Sequence, residues 1–304
     1  MLIYTHSDCL EHETQSGHPE RPDRLRGVWA HLERTGFLQD CEVRDAPLAS
    51  AHDLGAVHAG AYLEQLRALS PEQGLVQVDP DTALCPASLA AATRAAGAVV
   101  DGTRAVLAGE ADSVFCAVRP PGHHAESDAA MGFCLFNSVA VAAHFSLGQP
   151  GIERVAILDF DVHHGNGTVQ IFADDPRVLV CSSFQYPFYP GRYDELIRDH
   201  VILTPLAAGS DGNVFRRAVE QDWFDRISRH APQLIFVSAG FDAHHLDPLG
   251  GLNLTESDFT WVTGHIKSLA NSYAQGRVVS ALEGGYDIGA LSTSALAHVE
   301  ALRS

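Results

Sequence analysis

The side chains of this chain that can hold a metal or move a proton fall into a few short segments. Asp161 and His163 stand two apart at the end of an apolar run, so a strand continuing through them would project both to one side, where they can grip one ion. Asp242, two residues past Gly240, offers a third ligand from another strand end. Two carboxylates and one imidazole leave coordination positions open, as a catalytic centre requires. Zinc (Zn2+) is the expected ion and ferrous iron the alternative, because oxygen and nitrogen ligands suit both. An isolated Asp-x-His is commonplace, so the assignment rests on the whole set of segments. The two aspartates formally cancel the charge of a dication, so water at this metal is acidified less than at a three-histidine zinc and needs a base.

His123 and His124 are the candidates for that base. They follow Pro120-Pro121-Gly122, where a turn can aim both rings at one water. Asp159 is placed to orient His123, and Asn166 to orient His124, fixing their tautomers. Tyr286, in Glu283-Gly-Gly-Tyr-Asp287, offers a phenolic O–H to a developing oxyanion opposite the metal, and the two glycines let its loop approach the ion. His164, His244 and His245 read as packing or supporting groups, and His6, His12, His52 and His58 receive no role.

These groups are remote in sequence, so the fold must bring them together. Five short apolar runs, at residues 113–118, 154–160, 178–183, 234–238 and 278–282, read as strands. Between them, residues 86–107, 137–147, 213–228 and 256–274 have helical character. The alternation implies an α/β fold with a mostly parallel sheet and helices on both faces. Each apolar run gives way to a polar, Gly- or Pro-rich stretch, and most of these carry the residues above. Loops leaving the carboxyl ends of parallel strands share one edge of the sheet, so these stretches should converge on one crevice.

At 304 residues with 46% hydrophobic side chains, the chain can bury a large core. No linker, repeat or low-complexity block interrupts it, so one domain over residues 1–304 is expected. Lys+Arg 20 against Asp+Glu 38 give a net charge of −18, which disfavours direct nucleic-acid binding and would draw a cationic substrate, although acidity also serves solubility alone. No secretory leader and no run approaching the roughly 18 apolar residues of a membrane span is seen, so a cytoplasmic location without a membrane partner is expected. Cys9, Cys41, Cys85, Cys116, Cys134 and Cys181 are scattered without a C-x-x-C pair, which argues against a disulfide framework or a zinc ribbon.

Taken together, Gly17-His-Pro-Glu-Arg-Pro-Asp-Arg24, Arg119-Pro-Pro-Gly-His-His124, Gly132-Phe-Cys-Leu-Phe-Asn137, Leu158-Asp-Phe-Asp-Val-His-His-Gly-Asn-Gly167, Ser238-Ala-Gly-Phe-Asp242, Asp247-Pro-Leu-Gly-Gly251 and Glu283-Gly-Gly-Tyr286 resemble the histone deacetylase family, in its order and over nearly the whole chain. That family includes acetylpolyamine amidohydrolases and acetoin-utilisation proteins. The resemblance implies an arginase/deacetylase-like α/β fold with a central eight-stranded, mostly parallel sheet. It also implies zinc on Asp161, His163 and Asp242, acid–base work by His123 and His124, and polarisation of the acetyl carbonyl by Tyr286. By the same analogy Phe133, next to Gly132, and Tyr189 flank a narrow tunnel for an acyl-lysine stem, and a structural potassium ion (K+) sits among oxygens of Asp159, Asp161, His163, Ser182 and Ser183. The opening motif and Asn166 resemble the class II branch, and the retained Tyr286 implies genuine deacetylase activity. Leu249 stands where a polyamine-specific member carries an acidic gatekeeper, which weakens that assignment, and Asp81 aligns with the tunnel mouth, where it would contact substrate backbone or amine.

The implied reaction is zinc-dependent hydrolysis of the amide of an N-acetylated amine, releasing acetate. Acetyl-lysine is the first-choice substrate and an acetylpolyamine the alternative. A metal-bound water deprotonated by the histidine pair would attack the carbonyl, with His124 the principal base and His123 mainly electrostatic. A ureohydrolase of the arginase type would need two metals and an Asp-x-His-x-Asp run, but Gly165 stands where the second Asp would be. A catalytically silent acyl-lysine binding module would have lost a ligand or the tyrosine, and neither is missing. A bacterial source is expected, while acyl-chain preference and homo-oligomeric state stay open.

Overall fold

The runs dense in Val, Ile, Leu and Phe form strands, and three further strands complete the sheet. In the computed structural model, which describes residues 1–304, the strands are β1 (Leu2–Thr5), β2 (Glu42–Asp45), β3 (Val76–Asp79), β4 (Thr82–Leu84), β5 (Ser113–Cys116), β6 (Val155–Asp159), β7 (Val178–Gln185), β8 (Val201–Leu206), β9 (Leu234–Ala239) and β10 (Val278–Leu282). Eight of them form one sheet in the order β2-β1-β5-β10-β9-β6-β7-β8. Every neighbouring pair in it is parallel, so the sheet is wholly rather than mostly parallel. β3 and β4 form a separate antiparallel hairpin with Asp81 in its turn.

The interior strands β5, β6, β9 and β10 are buried at every position, which is why they read as mostly apolar runs. Neighbouring residues on a strand face opposite ways, and both faces are covered. A Cβ on Gly102, in the helix Ser88–Leu107, would press on Val114 and Val279. Phe115 and Ser280, one position along, meet His298 of the helix Ile288–Arg303 on the other face.

The expected helices are present as Ser88–Leu107, Ser138–Leu147, Gly212–His230 and Glu256–Tyr273. Helices Pro22–Arg34, Gly60–Leu69, Asn166–Phe172 and Ile288–Arg303 were not anticipated. The edge strand β2, Glu-Val-Arg-Asp, was also missed, because it is largely exposed and so carries polar residues. Because all eight strands run the same way, the loops that follow β5, β6, β7, β9 and β10 leave from one edge, and the candidate residues gather there.

Candidate active site

β6 ends at Asp159, so Asp161 and His163 lie on the loop beyond it rather than on a continued strand. The aspartates themselves end the strand. Asp159 Oδ1 accepts the N–H of Asp161 at 3.1 Å and Asp161 Oδ1 accepts that of His163 at 2.9 Å, two local turns in succession. From the neighbouring strand end, Asp242 Oδ1 accepts the N–H of Val162 at 2.8 Å and draws the β9 loop against this one.

The result is a buried cluster in which ligand atoms of Asp161, His163 and Asp242 lie within 4.8 Å of one another. His163 Nδ1 is 3.1 Å from Asp161 Oδ1 and 3.1 Å from Asp242 Oδ2. Two glycines keep the space open: a Cβ on Gly240 would collide with Asp161 Oδ2, and one on Gly284 with Asp242 Oδ2. Buried like charges are costly, and burial together with the charge of Asp161 pushes the Asp242 carboxyl up to about 7. Burial would lower the His163 pKa, but hydrogen bonds to Asp161 and Asp242 outweigh it and raise it to about 10. Two carboxylates and an imidazole packed around a Cβ-free cradle fit a single divalent cation, which would take the place of that proton.

The histidine pair lies beside this cluster, its rings 4.0 Å apart between centroids. Its turn is pinned from below by Glu283, whose Oε2 accepts the backbone N–H groups of Gly122 at 2.6 Å and His123 at 3.2 Å. Asp159 Oδ2 meets His123 Nδ1 at 2.9 Å and Asn166 Oδ1 meets His124 Nδ1 at 2.7 Å. The two rings differ electrostatically. Burial alone would depress the pKa of His123, but Asp161 and Asp159 overcome it and raise it well above the ordinary value. Burial also depresses His124, and the charges on His123 and His163 push it the same way, so its pKa falls well below the ordinary value. One ring favours the imidazolium and the other the neutral base.

Phe133, Gly132, Tyr189, Leu249 and Asp81 line one cavity of about 220 Å³ together with His124, His163, Phe188 and Tyr286. The ring of Phe133 stands 5.9 Å from that of Tyr286, and Phe188 stacks on His163 at 5.4 Å. Gly132 and Phe133 both adopt left-handed backbone, with φ 57 and 68. A Cβ at 132 would run into the His124 ring, and the unfavourable turn at Phe133 is held by Asp81 Oδ1 accepting Gly132 N–H and Thr82 Oγ1 accepting Phe133 N–H, each at 2.9 Å. Burial of the Tyr286 phenol raises its pKa well above the ordinary value, so it stays a hydrogen-bond donor. Asp247 Oδ2 accepts the Tyr286 backbone N–H at 2.6 Å.

Asp159, Ser182 and Ser183 are adjacent across β6 and β7, with Asp159 opposite Ser182 in register. Ser183 Oγ donates to the Asp159 carbonyl at 3.5 Å and Asp159 Oδ1 accepts the Asp161 N–H, so Asp159, Asp161, Ser182 and Ser183 adjoin one another. His164 packs on Phe184 and meets Ser182 Oγ at 3.1 Å, a supporting position.

Sequence reasoning missed Phe188, Glu283, Asp247 and a buried ionic group. In that group Glu20 bonds Arg24 at 3.1 Å and Arg119 at 2.7 Å, and His12 Nε2 lies 3.5 Å from Glu20. The signal was present, since Glu20 and Arg24 lie in the opening motif and Arg119 begins the next. His58, given no role, is buried, with Nδ1 at 3.0 Å from the Glu126 carbonyl and Nε2 accepting Asn137 N–H at 3.0 Å.

The profile of the histone deacetylase domain matches residues 18–302. An uncharacterised protein of Synechocystis sp. is 39% identical over 299 residues, covering 96% of each chain. The histone deacetylase-like amidohydrolase of Pseudomonas aeruginosa is 37% identical over 294 residues, covering 94% of this chain and 77% of its own. The crystal structure of the HDA15 HD domain superposes with a TM-score of 0.92 at 32% identity, over 100% of this chain and 91% of that one.

Proposed function

The chain belongs to the histone deacetylase family of amidohydrolases, and on that premise we propose that it hydrolyses the amide of an N-acetylated amine, acetyl-lysine first, with one divalent metal on Asp161, His163 and Asp242. Zinc is the first choice and ferrous iron the alternative. When bound, the metal supplies Lewis acidity toward the acyl oxygen and lowers the pKa of water beside it.

The chain's own residues supply the rest. The acyl stem lies between Phe133 and Tyr189, with the carbonyl near the Tyr286 phenol. His124, neutral and with Nδ1 turned to Asn166, accepts a proton from the attacking water on Nε2. His123, held by Asp159, contributes positive charge as the tetrahedral oxyanion forms, while the Tyr286 O–H donates to that oxygen. The protonated pair then returns a proton to the leaving amine, and acetate and free amine depart. A potassium ion near Asp159, Ser182 and Ser183 would stiffen this side of the site. We take residues 1–304 as one catalytic unit, cytoplasmic in location.

The observation that carries this reading is that one cavity touches His163, His124 and Tyr286, on this reading the ligand, base and oxyanion donor, behind two aromatic walls. A dinuclear ureohydrolase is disfavoured, because a side chain at Gly165 would strike Asp159 Oδ2. An acetylpolyamine is the second substrate reading, favoured by the Asp81 carboxylate on the cavity wall and opposed by Leu249. Turnover of acetyl-lysine peptides, longer acyl-lysines, and acetylated spermidine and putrescine, each with and without chelator, tests it. Chelator-sensitive acetate release supports the reading, and no release from any of them contradicts it.

A further inference from the structure

Acceptors converge on one face of the Asn166 amide. Its Nδ2 donates to Glu126 Oε1 at 2.8 Å, and Met131 Sδ and the His124 carbonyl lie 3.2 Å and 3.4 Å from it. All three are acceptors, so the NH2 must face them and Oδ1 must face His124 Nδ1. An amide oxygen only accepts, so His124 carries its ring proton on Nδ1 and keeps the lone pair on Nε2, toward the cavity.

A carboxylate at 166 would impose that tautomer whichever way it turned. An amide imposes it in one orientation only, and turned over it would favour the opposite tautomer. The strongest acceptor holding it is Glu126, whose residue is 2% exposed. The other oxygen of the same carboxylate, Oε2, accepts from Arg192 Nη2 at 2.8 Å. Arg192 follows Phe188 and Tyr189, which wall the cavity.

We propose that Glu126 is a positioning residue for His124: it locks the Asn166 amide, and so the tautomer of the base, and through Arg192 anchors the cavity wall to the same carboxylate. The inference rests on the reading of His124 as the base. It separates the two oxygens of Glu126 by function, Oε1 serving turnover and Oε2 serving substrate binding.

Three variants of the metal-loaded protein test it. Glu126→Met keeps the length and removes both acceptors, and a fall in kcat of about tenfold or more is expected as the amide loses its lock. Glu126→Gln, made in an Arg192→Met background so that no charged donor competes for its amide oxygen, keeps an acceptor for Asn166 and loses the ion pair, so kcat should stay within about threefold while KM rises. Arg192→Met should raise KM by a similar factor with kcat within about twofold. Nitrogen NMR of the histidine rings in the zinc-loaded protein, with His124 assigned from a His124→Gln sample, should show Nε2 unprotonated in the wild type and Glu126→Gln, and both tautomers in Glu126→Met. Equal kcat in the Gln and Met variants, or a single unchanged His124 tautomer in Glu126→Met, overturns the proposal. A wild type inactive on every acyl amide counts against the proposed function instead, and the ring tautomers then decide the role of Glu126.

Discussion

The guanidinium of Arg24 lies over the ring of Tyr286, 4.8 Å from its centroid, and donates to the carbonyls of Gly285 and Glu283 on the same loop. The arginine is fully buried and pairs with Glu20, so it ties the opening segment of the chain to the loop that aims the phenol. Arg24→Met would leave Glu20 short of one partner in the interior, at a cost of about 3 kcal/mol or more. Urea unfolding should show that loss, and kcat should fall with it as the phenol loses its backing. Unchanged unfolding would show that the contact carries no energy.

Tyr286→Phe removes one O–H and little else. If the phenol stabilises the oxyanion, turnover should drop by about a hundredfold or more. Metal content should not change, since the phenol is outside the Asp161, His163 and Asp242 cluster. A variant with full turnover would require another oxyanion donor.

Glu20 sets an acid limit on stability. Burial opposes its ionisation, but Arg119, His12 and Arg24 outweigh that and hold its carboxyl at about 2 against an ordinary 4.5. The unfolded chain therefore binds more protons in that window, so the stabilisation is complete above pH 4.5 and is lost as pH falls toward 2. The amount is on the order of 3 kcal/mol. Glu20→Gln should be less stable at neutral pH, with a flatter acid limb in unfolding midpoints. Parallel acid limbs in the two proteins would contradict the assignment.

Leu249 is an apolar position on the cavity wall. A carboxylate there would attract a second ammonium on the substrate, so Leu249→Glu should shift kcat/KM toward acetylspermidine over acetyl-lysine peptide by about fivefold, the worth of a solvated ion pair. The shift should shrink in high salt. An unaltered ratio would place polyamine recognition elsewhere or exclude it.

Legibility in the sequence followed burial only in part, since the four-residue β1 is buried over Leu2–Tyr4 and was still not read as a strand. β5, β6, β9 and β10 could be read because every position in them is buried and mostly apolar, while β2 could not, because an edge strand with one paired side keeps polar residues. The site residues were legible where a motif juxtaposes them, as with Asp161 and His163 or His123 and His124. Buried supporting contacts between segments were not. Glu20 meets Arg119 across 99 positions and Glu283 meets Gly122 across 161, and no local pattern marks either pair. The end of β6 was also hidden, because the side chain of Asp159 captures the N–H that a continued strand would have used.

The most direct test of the central claim is a titration of metal-free protein with zinc while acetate release from an acetyl-lysine peptide is followed. Activity should be absent without metal, saturate at one equivalent per chain, and fail to appear in Asp242→Ala at the same concentrations. Full turnover in the stripped protein, or saturation only at two equivalents, would contradict a single-metal site built on Asp161, His163 and Asp242.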